Sequence, residues 1–178
     1  MNRPHVTLKL ATSLDGRIAT ASGESRWITG EAARAEVQKL RAAHDAVLIG
    51  SGTACADDPE LLARTEPPPQ RQPVRVVFDT EFSLAPRGRL FDSLDRATLL
   101  VIGGTDGDPG RRKALDGAGA KTVTVPRGPQ GIEPEAAHDL ADLRTVRVPA
   151  RVASGGVRRG GTLKIPPIGR HQSSLSRS

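Results

Sequence analysis

The chain has 178 residues, 37% of them apolar and 26% charged, enough for one domain with a sizeable core and too little for two. A formal charge of +6 and a pI of about 10.4 point towards nucleic acid or an anionic membrane. The charge is not spread evenly, however: residues 1–141 hold 18 Lys/Arg against 19 Asp/Glu, whereas residues 142–178 hold eight basic residues and only Asp142 on the acidic side. No apolar run is long enough to span a membrane, and no signal-peptide pattern opens the chain. Cys55 is the only cysteine, and His5, His44, His138 and His171 are scattered, so neither a disulfide framework nor a zinc-like ligand set is expected. Three Phe, one Trp and no Tyr leave little for base stacking. The expectation is a cytoplasmic protein with no membrane, metal or specific nucleic-acid partner.

In chain order, His5 to Leu10 alternates apolar and polar residues and predicts a first strand, closed by the turn signal Ser13-Leu14-Asp15-Gly16. Thr29 is the expected N-cap of a helix from Gly30 to about Ala43, with Ala33, Val37, Leu40 and Ala43 or His44 on one face. Ala46 to Ile49 reads as a short buried strand ending in Gly50-Ser51-Gly52-Thr53, small residues that permit a sharp turn and a close backbone approach. A loop with Asp57-Asp58-Pro59 and the Pro67-Pro68-Pro69 run leads to a strand over Val74 to Asp79. A further strand is expected over Ala97 to Ile102, a helix over Arg111 to Ala120, a strand over Lys121 to Val125, and a helix from Pro134 to about Leu143 with proline in its first turn. Strands alternating with helices give an α/β domain with a largely parallel sheet. Beyond Leu143 the composition turns to Arg, Gly, Ser and Pro without sustained periodicity, which predicts a domain over 1–143, of five strands and three helices at most, and a disordered basic tail over 144–178.

Several residues have chemistry to offer. The glycine loop at 50–53 follows a strand as a phosphate-cradling loop would, but it lacks a Rossmann fingerprint and a P-loop lysine, so an ordinary tight turn is the plainer reading. Gly103-Gly104 is followed by Asp106 and Asp108, which repel a phosphate. Asp57-Asp58-Pro59 offers either a general acid or a loop turn and helix cap. Arg41 and Arg64 offer a bidentate clamp for an anionic substrate, or two solvated arginines. Trp27 serves a core and a ring-stacking role equally well.

Taken together, five blocks carry more than any one of them. They are Lys9-Leu10-Ala11-Thr12-Ser13-Leu14-Asp15-Gly16-Arg17-Ile18-Ala19, Ser22-Gly23-Glu24-Ser25-Arg26-Trp27-Ile28-Thr29, Leu40-Arg41-Ala42, Gly52-Thr53 with Ala56-Asp57-Asp58-Pro59-Glu60-Leu61, and Arg75-Val76-Val77-Phe78-Asp79. In this order and spacing the chain resembles the reductase domain of the riboflavin biosynthesis deaminase–reductase family. The resemblance implies a dihydrofolate-reductase-like fold and NADPH-dependent reduction of 5-amino-6-(5-phosphoribosylamino)uracil to the ribitylamino product. It implies NADPH contacts at Ala11, Trp27, Thr53, Asp57 and Thr80, and substrate contacts at Ser25, Arg41, Leu61 and Arg64. Lys9 faces the reacting sugar, and Asp57 and Lys9 are the candidate catalytic residues that manage the proton. The intact family is expected to form homodimers.

Two features of the family pattern are missing. The His-x-Glu and Pro-Cys-x-x-Cys zinc site of the deaminase half is absent. Also absent is the Val-Glu-Gly-Gly motif, whose glutamate contacts substrate in the family and whose glycines lead to the NADPH phosphates; the nearest look-alike, Ala153-Ser154-Gly155-Gly156, has no acidic residue. A truncated domain is therefore expected, its gene read out of frame from near Leu140, with weakened NADPH binding and activity. A related pyrimidine or pteridine reductase of the same fold, and an inactive binding protein using the basic tail, are the alternatives.

Overall fold

In a computed structural model of the protein, residues 5–17, 30–129 and 131–132 are described, together with the backbone of 151–155. Runs of β-branched and aliphatic residues form the strands β1 (His5–Lys9), β2 (Ala46–Gly50), β3 (Val74–Phe78), β4 (Leu99–Gly104) and β5 (Lys121–Val125). Between them lie α1 (Glu31–Ala43), α2 (Ser51–Asp57), α3 (Arg89–Asp92) and α4 (Pro109–Gly117). A short antiparallel hairpin, β6 (Arg127–Gly128) with β7 (Gly131–Ile132), follows β5, and β8 (Arg151–Gly155) is the last element described.

Six strands make one parallel sheet in the order β1-β8-β2-β3-β4-β5. Its register sets Ala46 opposite Val74, Arg75 opposite Leu99 and Leu100 opposite Lys121. Because side chains alternate across a strand, this register sorts the apolar residues into two layers. Val47, Ile49, Val77, Leu99 and Val101 point to one face and meet Ala54, Leu61, Phe82, Leu84, Leu90, Leu115 and Ala120. Ala46, Val74, Val76, Leu100, Ile102 and Val125 point to the other, with Leu48, Phe78, Val123 and Ile132 beside them. A parallel strand covered on both faces reads as a continuous apolar run, which is why β4 is buried at every position.

The elements differ from the sequence reading in instructive places. Helix α1 begins at Glu31 after an N-cap at Gly30 that makes no side-chain bond, one residue later than expected; Thr29 lies outside the described residues, as does the helix expected from Pro134. The small residues at 50–53 do not make an open loop: β2 runs straight into α2, a seven-residue helix. Helix α4 starts at Pro109 rather than Arg111, because the Asp108 carboxylate accepts from Arg111 N at 2.8 Å and caps it. Strand β4 runs two residues further than predicted, and α3 and the β6–β7 hairpin are too short to leave a periodic signal. The expectation of five strands and three helices at most is corrected by four helices and eight strands among the described residues. One of these strands, β8, lies within the stretch read as lacking elements, and the look-alike Ala153-Ser154-Gly155 forms its last three residues. No helix among the described residues is long and apolar enough to cross a membrane.

Candidate active site

The C-terminal ends of parallel strands present their chain turns on one edge of the sheet, where open α/β sheets bind ligands. Lys9 ends β1, and Ala11 follows two residues later; both are half-buried. Thr53 sits in the first turn of α2 and is half-buried, while Asp57 ends that helix and is exposed. Thr80 is the second residue after β3. The backbone thus brings Lys9, Ala11, Thr53 and Thr80 to one edge, with Asp57 at the far end of α2. Ser25 and Trp27 lie outside the described residues.

This edge is open at one end and filled at the other. A Cβ built on Gly50 or Gly52 would meet nothing within 4 Å among the described residues, so the start of α2 has space above it. At the end of β4 the space is already used. Asp79, almost completely buried, accepts from Ser83 Oγ at 2.8 Å and from Leu84 N at 2.7 Å, folding residues 79–84 into a tight turn. Phe82, at φ 52°, is swung inward by that turn, and its ring occupies the place a Cβ on Gly103 would take. Gly103 therefore serves packing, and Gly104 N donates to Thr80 O at 2.9 Å. Arg127 ties the β6–β7 hairpin to the same turns through Glu81 at 2.6 Å and Asp106 at 3.2 Å, and these carboxylates raise its pKa.

The two arginines of the sequence reading lie close together where the end of α1 meets the loop after α2. Arg41, in the last turn of α1, donates from Nη1 to Leu62 O at 3.2 Å, and Arg64 N donates to Gln38 Oε1 at 2.9 Å, so α1 and the loop after α2 are stitched together. Burial is the main influence lowering the pKa of Arg41, the charge of Arg64 adds to it, and Glu60 opposes both. Glu60 pairs with Arg64 at 3.7 Å, Arg89 at 3.7 Å and Arg96 at 2.7 Å. Gln72 clasps the same loop, its amide accepting from Ala63 N and donating to Ala63 O at 2.8 and 2.9 Å. Leu61, at φ 59°, is buried in the core, so its backbone is what it can present to a ligand.

Beneath the loop, Arg75 on β3 is fully buried. It donates from Nη1 to Leu90 O at 2.8 Å and Ser93 Oγ at 2.6 Å, and from Nη2 to Ser93 O at 3.1 Å and to Ala97 O. Burial pulls its pKa down to about 10. Of the adjacent acids, Asp58 has a structural duty: at φ 39° it caps α2, and its Oδ1 accepts from Arg89 N at 2.9 Å. That leaves Asp57 as the carboxylate of the pair that caps no backbone among the described residues. Sequence reasoning missed Glu60, Gln38, Gln72, Arg75 and Asp79 as organisers of the site. Only Glu60, four residues before Arg64, had a local signal.

Residues 4–141 match the family described as RibD C-terminal domain. The chain is 38% identical over 122 residues to the riboflavin biosynthesis protein RibD of Bacillus amyloliquefaciens, covering 68% of this chain and 32% of that protein. With the protein of the same name from Haemophilus influenzae it shares 50% over 99 residues, which is 49% of this chain and 27% of the relative. The chain thus spans about a third or less of the curated relatives it matches. Among solved structures it is similar to Acinetobacter baumannii RibD, with a TM-score of 0.67, 31% identity, and 87% of this chain and 40% of that one covered. It is also similar to a diaminohydroxyphosphoribosylaminopyrimidine deaminase/5-amino-6-(5-phosphoribosylamino)uracil reductase from Thermotoga maritima, with a TM-score of 0.62, 28% identity, and 86% and 39% covered.

Proposed function

Since the chain belongs to the RibD C-terminal domain family, and its sheet is that of the dihydrofolate-reductase-like reductase domains it matches, we propose that it binds 5-amino-6-(5-phosphoribosylamino)uracil and reduces its ribosyl group with NADPH. The observation that carries this reading is the closeness of Arg41 and Arg64 across α1 and the α2–β3 loop. Two guanidinium groups can grip a phosphate dianion through charge-assisted hydrogen bonds without a metal.

The cofactor is compatible with the residues at the open end of the edge. The unfilled space over Gly50 and Gly52 leaves room for a ligand against the backbone, with the Thr53 and Thr80 hydroxyls, the Asp57 carboxylate and the Ala11 backbone as contacts, and Trp27 completing the set. When bound, NADPH supplies a hydride for the open-chain form of the sugar. The rest of the chemistry falls to the protein. Ser25, Arg41, Leu61 and Arg64 hold the phosphorylated sugar, Lys9 faces the reacting carbon, and Asp57 and Lys9 manage the single proton that accompanies reduction.

Isothermal titration with the ribosylaminouracil phosphate in the presence of NADPH tests the reading, with dihydrofolate as the comparison ligand. Arg41→Ala and Arg64→Ala should each weaken binding by about tenfold or more, the effect of losing a charge-assisted hydrogen bond. Unchanged affinity in both variants, or preference for dihydrofolate, would replace this proposal with a pteridine-type reductase.

A further inference from the structure

The loop between α2 and β3 carries one carboxylate that the reaction above does not use. The Glu60 side chain is only 18% exposed, yet three half-exposed guanidinium groups converge on it from three parts of the chain. Arg96 closes on Oε1 at 2.7 Å in a true hydrogen bond. Arg64 Nη1 and Arg89 Nη2 both stop 3.7 Å short of Oε2, beyond hydrogen-bonding distance. Those two arginines are attracted to Glu60 but have not spent their donors on it. Arg41 completes the cluster, close enough to feel both Arg64 and Glu60.

The neighbouring acids do not neutralise this group. Asp58 Oδ1 is engaged by the backbone N–H of Arg89, and Asp95 acts on the buried Arg75. Three guanidinium groups therefore share one carboxylate, with Arg41 beside them, and that carboxylate is held firmly by only one of the three.

We propose that Glu60 is the resident counter-anion of a phosphate subsite formed by Arg41, Arg64 and Arg89. It keeps the mutually repelling arginines together while no ligand is present; a phosphoryl group then takes over Arg64 and Arg89, and Arg96 holds Glu60 back. The idea rests on the phosphorylated-substrate reading above and extends it by two residues, Arg89 as a phosphate ligand and Glu60 as a positioning residue. The physical basis is competition. A phosphate dianion offers each guanidinium group short, bidentate hydrogen bonds that a carboxylate at 3.7 Å does not, but it must enter against the charge of Glu60.

The consequence is a pair of effects with opposite signs. Glu60→Gln should lower the Tm of the ligand-free chain in chloride, since the arginines then repel one another unopposed. The same variant should bind ribose 5-phosphate about three- to fivefold more tightly than the parent, and phosphate should raise its Tm by more than it raises the parent's at equal ionic strength. Arg89→Gln should weaken ribose 5-phosphate binding. Arg96→Gln provides a second route that leaves the subsite arginines in place: it frees Glu60 to close on Arg64, so ribose 5-phosphate should bind more weakly although Arg96 touches no ligand. Glu60→Asp, which keeps the charge, should stay near the parent.

The experiment is titration of the 178-residue chain and these variants with ribose 5-phosphate, with ribose as the uncharged control, alongside thermal melts in chloride and in inorganic phosphate. Tighter binding in Glu60→Gln with weaker binding in Arg96→Gln supports the proposal. Affinities in both variants within twofold of the parent, or weaker binding in Glu60→Gln, would overturn it and leave Glu60 a purely structural ion-pair hub. If the parent itself fails to distinguish ribose 5-phosphate from ribose, the phosphorylated-substrate reading falls, and the counter-anion with it.

Discussion

The two halves of the sheet are built to different standards. Strands β3 and β4 carry residues such as Val77, Leu99 and Val101 at 0% exposure and are covered on both faces. Strand β1, at the other edge, leaves Val6 60% and Leu8 41% exposed, with Leu10 just beyond it at 46%, and α1 buries no residue fully. Chain order explains part of the contrast. Strands β3 to β5 are joined to their covering helices and turns by nearby segments, whereas β1 joins the sheet only through β8, which lies more than a hundred residues further on. The compact half supplies rigidity, and the Arg41–Arg64 pair sits where the compact half meets α1.

The strongest test of that contrast is Arg75, whose guanidinium satisfies backbone carbonyls of Leu90, Ser93 and Ala97. Arg75→Met leaves those acceptors buried and unpaired and should cost about 3–5 kcal/mol in urea denaturation; a loss below about 1 kcal/mol would show that water reaches them. Burial lowers the pKa of Arg75 from the ordinary guanidinium range to about 10, so its charged form carries a constant burial cost at neutral pH. Stability from this group rises only as the pH climbs through that interval, where the unfolded chain binds the proton that the folded chain has released.

A matched pair of truncations comes next. Leu99→Ala should cost about 2–5 kcal/mol, as deletions in a closed core do. Leu8→Ala on β1 should cost under about 1 kcal/mol, because much of that side chain is already in water. Equal losses would mean that β1 is covered in solution, and the contrast between the halves would disappear. The smallest effect belongs to a cap: Asp108→Ala should lower the Tm slightly at neutral pH. The Arg111 N–H, accepted by Asp108, holds that carboxyl below its ordinary 3.8. The difference between variant and parent should therefore persist above that pH and close as the pH falls through the lowered value.

Much of the compact half was legible beforehand. Lys121–Val125 appears as read; the strands at 46–50 and 74–78 differ by a residue at one end, because mostly buried parallel strands announce themselves as apolar runs. Helix α2 was not legible, since Ser51-Gly52-Thr53 has the composition of a turn and becomes helical only because β2 feeds directly into it. Strand β8 was hidden for a different reason. A segment between two others in a sheet is held by backbone hydrogen bonds on both sides and can form without a strongly apolar sequence. At the site, Arg41 and Arg64 were visible as charges, but their proximity depends on contacts between α1 and a loop some twenty residues away.

The sequence by itself determined the alternation of strands and helices, the family to which the chain belongs, and the arginines, Arg41 and Arg64, from which the proposed anion site is built. These rest on local periodicity and on spacing along the chain, which survive without knowledge of the fold. Only the tertiary structure decided which charges meet, that Asp58 caps while Asp57 does not, that Phe82 rather than a ligand fills the space over Gly103, and that Glu60 stands among four arginines. Each of those outcomes is set by distances between residues far apart in sequence, and neither composition nor periodicity encodes such distances.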